Sequence, residues 1–200
     1  MHRLAGACGV AVVLCAIPAR PQVIEFESNG LKYQTLSKSG VTLMFAHLAA
    51  RLRSYAIIQV AVANGSGAVY IIRPEDFTFT RADGSPLRAA AANSVVQMLT
   101  EKGGRSDVLK LVNAYESSLY GIPNMRSTNG YEQRRDAALM AGPAKFRAAA
   151  AASAVALSRT RLAAGESSDG AVFFLTGGKP LGPGQLVVRT TTDTFEFKAE

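Results

Sequence analysis

Apolar and polar positions alternate singly through the first part of this chain, recur every three or four residues through its middle, and alternate singly again near its end. The clearest alternation lies in residues 55–63. There Ala56, Ile58, Val60 and Val62 share one face of a strand and Gln59 takes the other. An extended lead-in over 23–26 precedes it. Strands over 31–36 and 41–48 flank Ser39-Gly40, a hairpin-type turn. Asn64-Gly65-Ser66-Gly67 is a strong turn signal, from which residues 68–72 are expected to return as a strand. Pro74 breaks that run. Phe77 and Phe79 alternate with Thr78 and Thr80, and Asp83-Gly84-Ser85-Pro86 closes the block.

From Arg88 to about Leu162 the spacing changes. Ala92, Val95, Val96 and Leu99 predict a helix that ends at Gly103-Gly104. Ser106 is the expected N-cap of the next helix, whose stripe is Val108, Leu111, Val112, Tyr115 and Leu119. Residues 121–130 read as a loop, 131–140 as a shorter helix, and Pro143 as the start of a last one. That last helix is expected to bury Phe146, Ala149, Ala150, Ser153 and Leu157. Its alanine run is only eleven residues long and is bounded by Lys145, Arg147, Arg159 and Arg161. Close packing against neighbouring helices therefore explains it better than a membrane does. Strands resume at 171–176, 186–189 and around Phe195 and Phe197, with a wide turn over 177–184.

Strands thus lie on both sides of a helical block, and neither set alone makes a large sheet. The expected fold class is α+β: one antiparallel β-sandwich over residues 20–200 using strands from both ends, with a helical insertion at about 88–162. Asn64-Gly65-Ser66-Gly67, the run from Ile72 to Phe79, Ala82-Asp83-Gly84 and the stretch from Leu162 to Phe174 resemble secreted bacterial immunoglobulin-like modules. The resemblance implies an immunoglobulin-like sandwich and a role in adhesion, assembly or scaffolding. The chain departs from antibody domains in lacking their paired core cysteines and tryptophan.

The first nineteen residues change the compartment. Met1-His2-Arg3 is a basic head, residues 4–16 carry no charge, and Ala19 is a small residue at the expected cleavage point. This is the layout of a signal peptide. The mature chain is expected to be exported, either periplasmic or secreted. Both cysteines, Cys8 and Cys15, fall inside the leader, so the mature chain holds no disulfide or thiol nucleophile. A lipid anchor on Cys15 is disfavoured by the bulky Leu14 before it.

Recognisable catalytic chemistry is absent from the sequence. There is no Gly-x-Ser-x-Gly elbow, no Ser-x-x-Lys, no phosphate-binding loop and no Gly-x-Gly-x-x-Gly. His47 and Met44 could share a copper ion, but a spacing of three sets them on opposite faces of a strand. Glu75-Asp76 reads as a solvated pair at a strand start. No catalytic residue, cofactor or metal is expected.

Charge is more informative. The whole chain carries +7. Residues 88–162 hold 11 basic and 5 acidic side chains, while the rest of the mature chain holds 10 of each. The helical block therefore carries the whole excess. That pattern predicts a non-catalytic binding or scaffolding module of the cell envelope whose insertion meets an acidic partner: another envelope protein, an anionic polymer or a membrane surface, but not nucleic acid, which the compartment excludes. Tyr120, Arg126, Tyr131, Arg134 and Arg135 are the expected contact residues, because Tyr and Arg dominate interface hot spots and long loops carry function. Two rival readings are an enzyme with the insertion as a lid over a polar pocket, and a subunit that assembles through sheet edges. The oligomeric state is left open.

Overall fold

The computed structural model describes residues 22–121 and 129–199. The expected leader, both cysteines and Arg126 lie outside the described residues. The fold is α+β, with eleven strands and four helices among the described residues.

Nine strands form one hydrogen-bonded antiparallel succession in the order β1-β2-β3-β4-β9-β7-β6-β10-β11. They are β1 (Ile24–Ser28), β2 (Leu31–Lys38), β3 (Val41–Leu52), β4 (Tyr55–Asn64), β6 (Phe77–Arg81), β7 (Pro86–Ala90), β9 (Ser167–Leu175), β10 (Gly184–Arg189) and β11 (Thr194–Ala199). Turn chemistry sets the hairpins. Asn29-Gly30 and Ser39-Gly40 both have positive φ at the two central positions, which matches the right-handed twist of the flanking strands. In β3 the register shifts between Leu48, opposite Ile57, and Arg51, opposite Ala56. This bulge bends the strand.

The sheet curls on itself. β7 forms the bend: Pro86, Leu87 and Arg88 pair with β6, whereas Ala89 and Ala90 pair with β9. The inner face buries Leu43, Phe45, Ile58, Val60, Phe79, Phe174, Leu186 and Phe197 in one apolar cluster. Each such side chain contributes about 1.5–3 kcal/mol by leaving water. The ends of the curl meet without a strand ladder. Side chains bridge them instead: Gln34 donates to the Lys198 carbonyl, Lys38 to the Thr194 carbonyl at 3.1 Å, and Ser39 to Asp193 at 2.8 Å.

The alternation over 55–63 holds. Ile58, Val60 and Val62 enter the inner core, and Gln59 faces outward, buried. Residues 68–72 do not return against β4, whose partners are β3 and β9. Instead β5 (Tyr70–Ile72) pairs with β8 (Thr160–Leu162) in a separate two-stranded sheet. Asn64 causes this. Its buried amide donates to the Ala68, Leu162 and Ala163 carbonyls and accepts from Ser66, locking the turn onto the distant strand.

The insertion is shorter than 88–162, because β7 runs through Ala90 and β8 begins at Thr160. It comprises α1 (Ala92–Lys102), α2 (Arg105–Leu119), α3 (Tyr131–Met140) and α4 (Ala144–Val155). Ser106 is not the N-cap of α2. Gly104 occupies that position, and the Asp107 carboxylate accepts its N–H at 2.9 Å while pairing with Arg53 at 2.7 Å. The helices cover the outer face of the sheet, where Leu52, Ile57 and Phe173 meet Val95, Leu99, Leu111, Tyr115, Leu119 and Val155 in a second apolar cluster. α4 packs against α1, α2 and α3 and buries Ala148, Ala149, Ala151, Ala152, Ala154 and Val155. Close packing among neighbours does account for the alanines, but the expected stripe fails in part. Phe146 and Ser153 are exposed, since a helix enclosed by three others has no single buried side.

Candidate functional site

The residues expected to meet a partner mostly hold the helices to one another. Tyr131 opens α3 and is buried. Its ring lies 4.8 Å from that of Tyr115, and its hydroxyl donates to Glu116 at 3.2 Å. Burial and the Glu116 carboxylate push its pKa well above the ordinary phenol value. Arg135 donates to the same Glu116 oxygen at 2.6 Å and to Asp136 at 2.9 Å, and these bonds hold its guanidinium charged. Its neighbour Arg134 points the other way, donating to the Asn129 carbonyl and, at 3.1 Å, to the Ala154 carbonyl. Tyr120 is 42% exposed; its hydroxyl donates to Glu132 at 2.9 Å, and partial burial with that bond raises its pKa to about 12. Of the four described members of the set, Tyr120 and Arg134 are exposed, Arg135 is half-buried and Tyr131 is buried.

Further cations of the insertion also lack a carboxylate partner. Three ion pairs occur among the described residues: Arg53–Asp107, Arg135–Glu116 and Arg135–Asp136. They leave Lys102, Arg105, Lys145, Arg147, Arg159 and Arg161 without a carboxylate partner there. Four of these cations belong to segments in contact. A Cβ placed on Gly103 would lie 2.9 Å from the Ala148 Cβ, so the α1–α2 junction, flanked by Lys102 and Arg105, sits against the first turns of α4, which carry Lys145 and Arg147. No acidic residue occurs between Asp136 and Glu166.

Apolar side chains stand out from the same end. Met140, the last residue of α3, is 88% exposed, Leu139 is 43% and Phe146 is 44%. Lys145 holds its ammonium 5.1 Å from the centre of the Phe146 ring. The turn between α3 and α4 is therefore a greasy tip set among cations. A signal for it was present in the sequence: Leu139-Met140 ends a helix whose positions 132–138 are polar or small, and Lys145-Phe146-Arg147 follows Gly142-Pro143.

Two further places bear on chemistry. The middle of the helix–sheet contact is filled by apolar side chains. At its rim a polar cleft of about 500 Å³ is lined by Asn129, Arg134, Arg161, Glu166, Ser168 and Asp169. Within it Asp169 is buried and accepts the Tyr115 hydroxyl, and Asn129 donates to the Asp169 carbonyl. These bonds tie the helices to β9. His47 does not line this cleft. It faces the inner side of the sheet, and Met44 is on the opposite side of β3, so the two do not converge. Among the described residues no group of three or more His, Cys, Asp or Glu side chains is placed to hold a metal ion. Glu75 and Asp76 belong to a 3-10 turn, where the Asp76 carboxylate accepts the Arg73 N–H at 2.9 Å. Among the described residues no helix is long and apolar enough to cross a membrane.

Compared with family models, with curated proteins and with solved structures, the chain matches none.

Proposed function

We propose that the chain is an exported, non-catalytic binding module of the bacterial cell envelope that rests the basic end of its helical insertion on an anionic membrane surface. The observation that carries this reading is the exposure of Met140, Leu139 and Phe146 around the α3–α4 turn, next to Lys145 and Arg147 on the part of α4 that meets the α1–α2 junction bearing Lys102 and Arg105. A soluble polyanion or an acidic protein would account for the cations but not for the exposed apolar tip. A bilayer with anionic headgroups accounts for both. The magnitudes agree. Cations near such a surface are worth about 1 kcal/mol each, so four alone give millimolar binding. Partial insertion of three apolar side chains adds a few kcal/mol more and brings the affinity towards the micromolar range, about −8 kcal/mol.

The β part fits the same reading. Two halves of one curled sheet face each other across a single core, with β7 passing from one half to the other, an arrangement that supports kinship with exported immunoglobulin-like modules. A filled helix–sheet contact supports a scaffold more than a lid over an active site.

Co-sedimentation with vesicles tests the proposal. The protein is expected to pellet with phosphatidylglycerol vesicles and not with phosphatidylcholine vesicles. Reversing Lys102, Arg105, Lys145 and Arg147 to glutamate should abolish pelleting. Equal pelleting with both lipids, or binding indifferent to those reversals, would overturn the reading.

A further inference from the structure

We propose that the mouth of the curled sheet beside His47 is a binding site for a small organic ammonium ion with an apolar body. Where β1, β2 and β3 approach β11, the curl leaves a cavity of about 230 Å³ lined by Glu25, Glu27, Lys32, Gln34, Phe45 and His47, among others. Its chemistry follows from two buried polar atoms that no group among the described residues satisfies, Gln34 Oε1 and His47 Nε2. A buried polar atom of this kind is costly unless something hydrogen-bonds to it.

The orientation of Gln34 is set by its bonds. Its Nε2 donates to Glu25 Oε1 at 2.5 Å and to the Lys198 carbonyl at 2.5 Å. The oxygen of the same amide is therefore an acceptor awaiting a donor. His47 packs edge-on against Phe45 and Phe79, with ring centres 5.4 Å and 6.1 Å away. Burial in this aromatic setting favours the neutral imidazole, which offers one acceptor nitrogen. The rim adds Glu25 and Glu27, with Lys32 the cross-strand neighbour of Glu27, so one negative charge remains. An ammonium group meets all of these: it brings several donors and a positive charge, and it lacks an acceptor that would clash with Gln34 Oε1. The Phe45 ring supplies an apolar wall for the rest of the ligand. Anions fit poorly, because both carboxylates oppose them. The local charge is opposite in sign to that of the chain as a whole, so general attraction to this basic protein cannot mimic the site.

Side-chain NMR of the intact mature protein tests the assignment, with benzylamine, benzyl alcohol and benzoate as probes of similar shape. Benzylamine is expected to shift the His47 imidazole and Gln34 amide resonances saturably. Benzyl alcohol and benzoate should leave them in place. Glu27→Gln, at an exposed rim position, should weaken benzylamine about fivefold. Gln34→Leu should weaken it further, with circular dichroism confirming that the variant folds. Absence of saturation up to about 10 mM, or benzoate or benzyl alcohol binding as well as the amine, would overturn the proposal.

Discussion

The phenol of Tyr115, in α2, donates its proton to the buried carboxylate of Asp169, in β9, and so joins the helical insertion to the centre of the sheet. The bond is charge-assisted and shielded from water on both sides, which places it among the stronger hydrogen bonds a protein can make. Burial and the neighbouring carboxylate raise the Tyr115 pKa far above the phenol range, so it donates at every physiological pH. Tyr115→Phe removes one donor from a buried acceptor while keeping the ring against Tyr131. We expect a loss of about 1–3 kcal/mol in urea unfolding, with native helix content retained.

Asn64 makes a comparable join inside the β part. Three donor bonds and a turn-closing acceptor converge on one buried amide. Asn64→Leu is nearly isosteric but leaves the Leu162 and Ala163 carbonyls facing a hydrocarbon. Its cost should exceed 2 kcal/mol and should appear first as accelerated amide exchange in β5 and β8.

Gly170 is required for a different reason. The chain leaving α4 crosses β9 so closely that Leu157 donates its N–H to the Ala171 carbonyl at 2.8 Å, and a Cβ on Gly170 would lie 2.6 Å from the Leu157 Cα. Backbone cannot yield as a side-chain tip can. Gly170→Ala should lower stability by about 1–3 kcal/mol or more, whereas Gly142→Ala, where nothing lies within 4 Å, should change little.

His47 gives the fold a pH response. Burial lowers its pKa below 6.5, so the native state holds it neutral while the unfolded chain takes up a proton first on acidification. The unfolded state binds more protons in that window, so stability is full above pH 6.5 and falls as pH drops from there towards the lowered native value. His47→Leu removes this term. Its thermal midpoint should vary less than that of the parent between pH 7 and pH 5.

The elements themselves were largely legible in the sequence, and their partners were not. Alternation identified β4 and β6, and a helical stripe identified α2, because one buried face is written locally in each. That β9 would insert between β4 and β7, or that β5 would pair with β8, depends on bonds such as those of Asn64 to residues 98 and 99 positions away. The bonds that hold the expected contact residues were hidden for the same reason. Glu116 and Ala154 lie 19 and 20 positions from the arginines they hold, beyond any local pattern. Adjacent arginines on a helix also point about 100° apart, and Arg134 and Arg135 turn to different partners, on α4 and α2. Met140 and Phe146 were visible as apolar residues, but only the packing of α4 among three helices shows that they are left outside.

The most direct test of the account places a reporter at the tip. The chain contains no tryptophan, so Met140→Trp provides a single fluorophore where insertion is proposed. With phosphatidylglycerol vesicles its emission should shift to the blue and resist a water-soluble quencher, and about 0.5 M salt should reverse the effect by screening the surrounding cations. Emission unchanged while the protein still pellets with those vesicles would mean that another face makes the contact, and the central claim would be wrong.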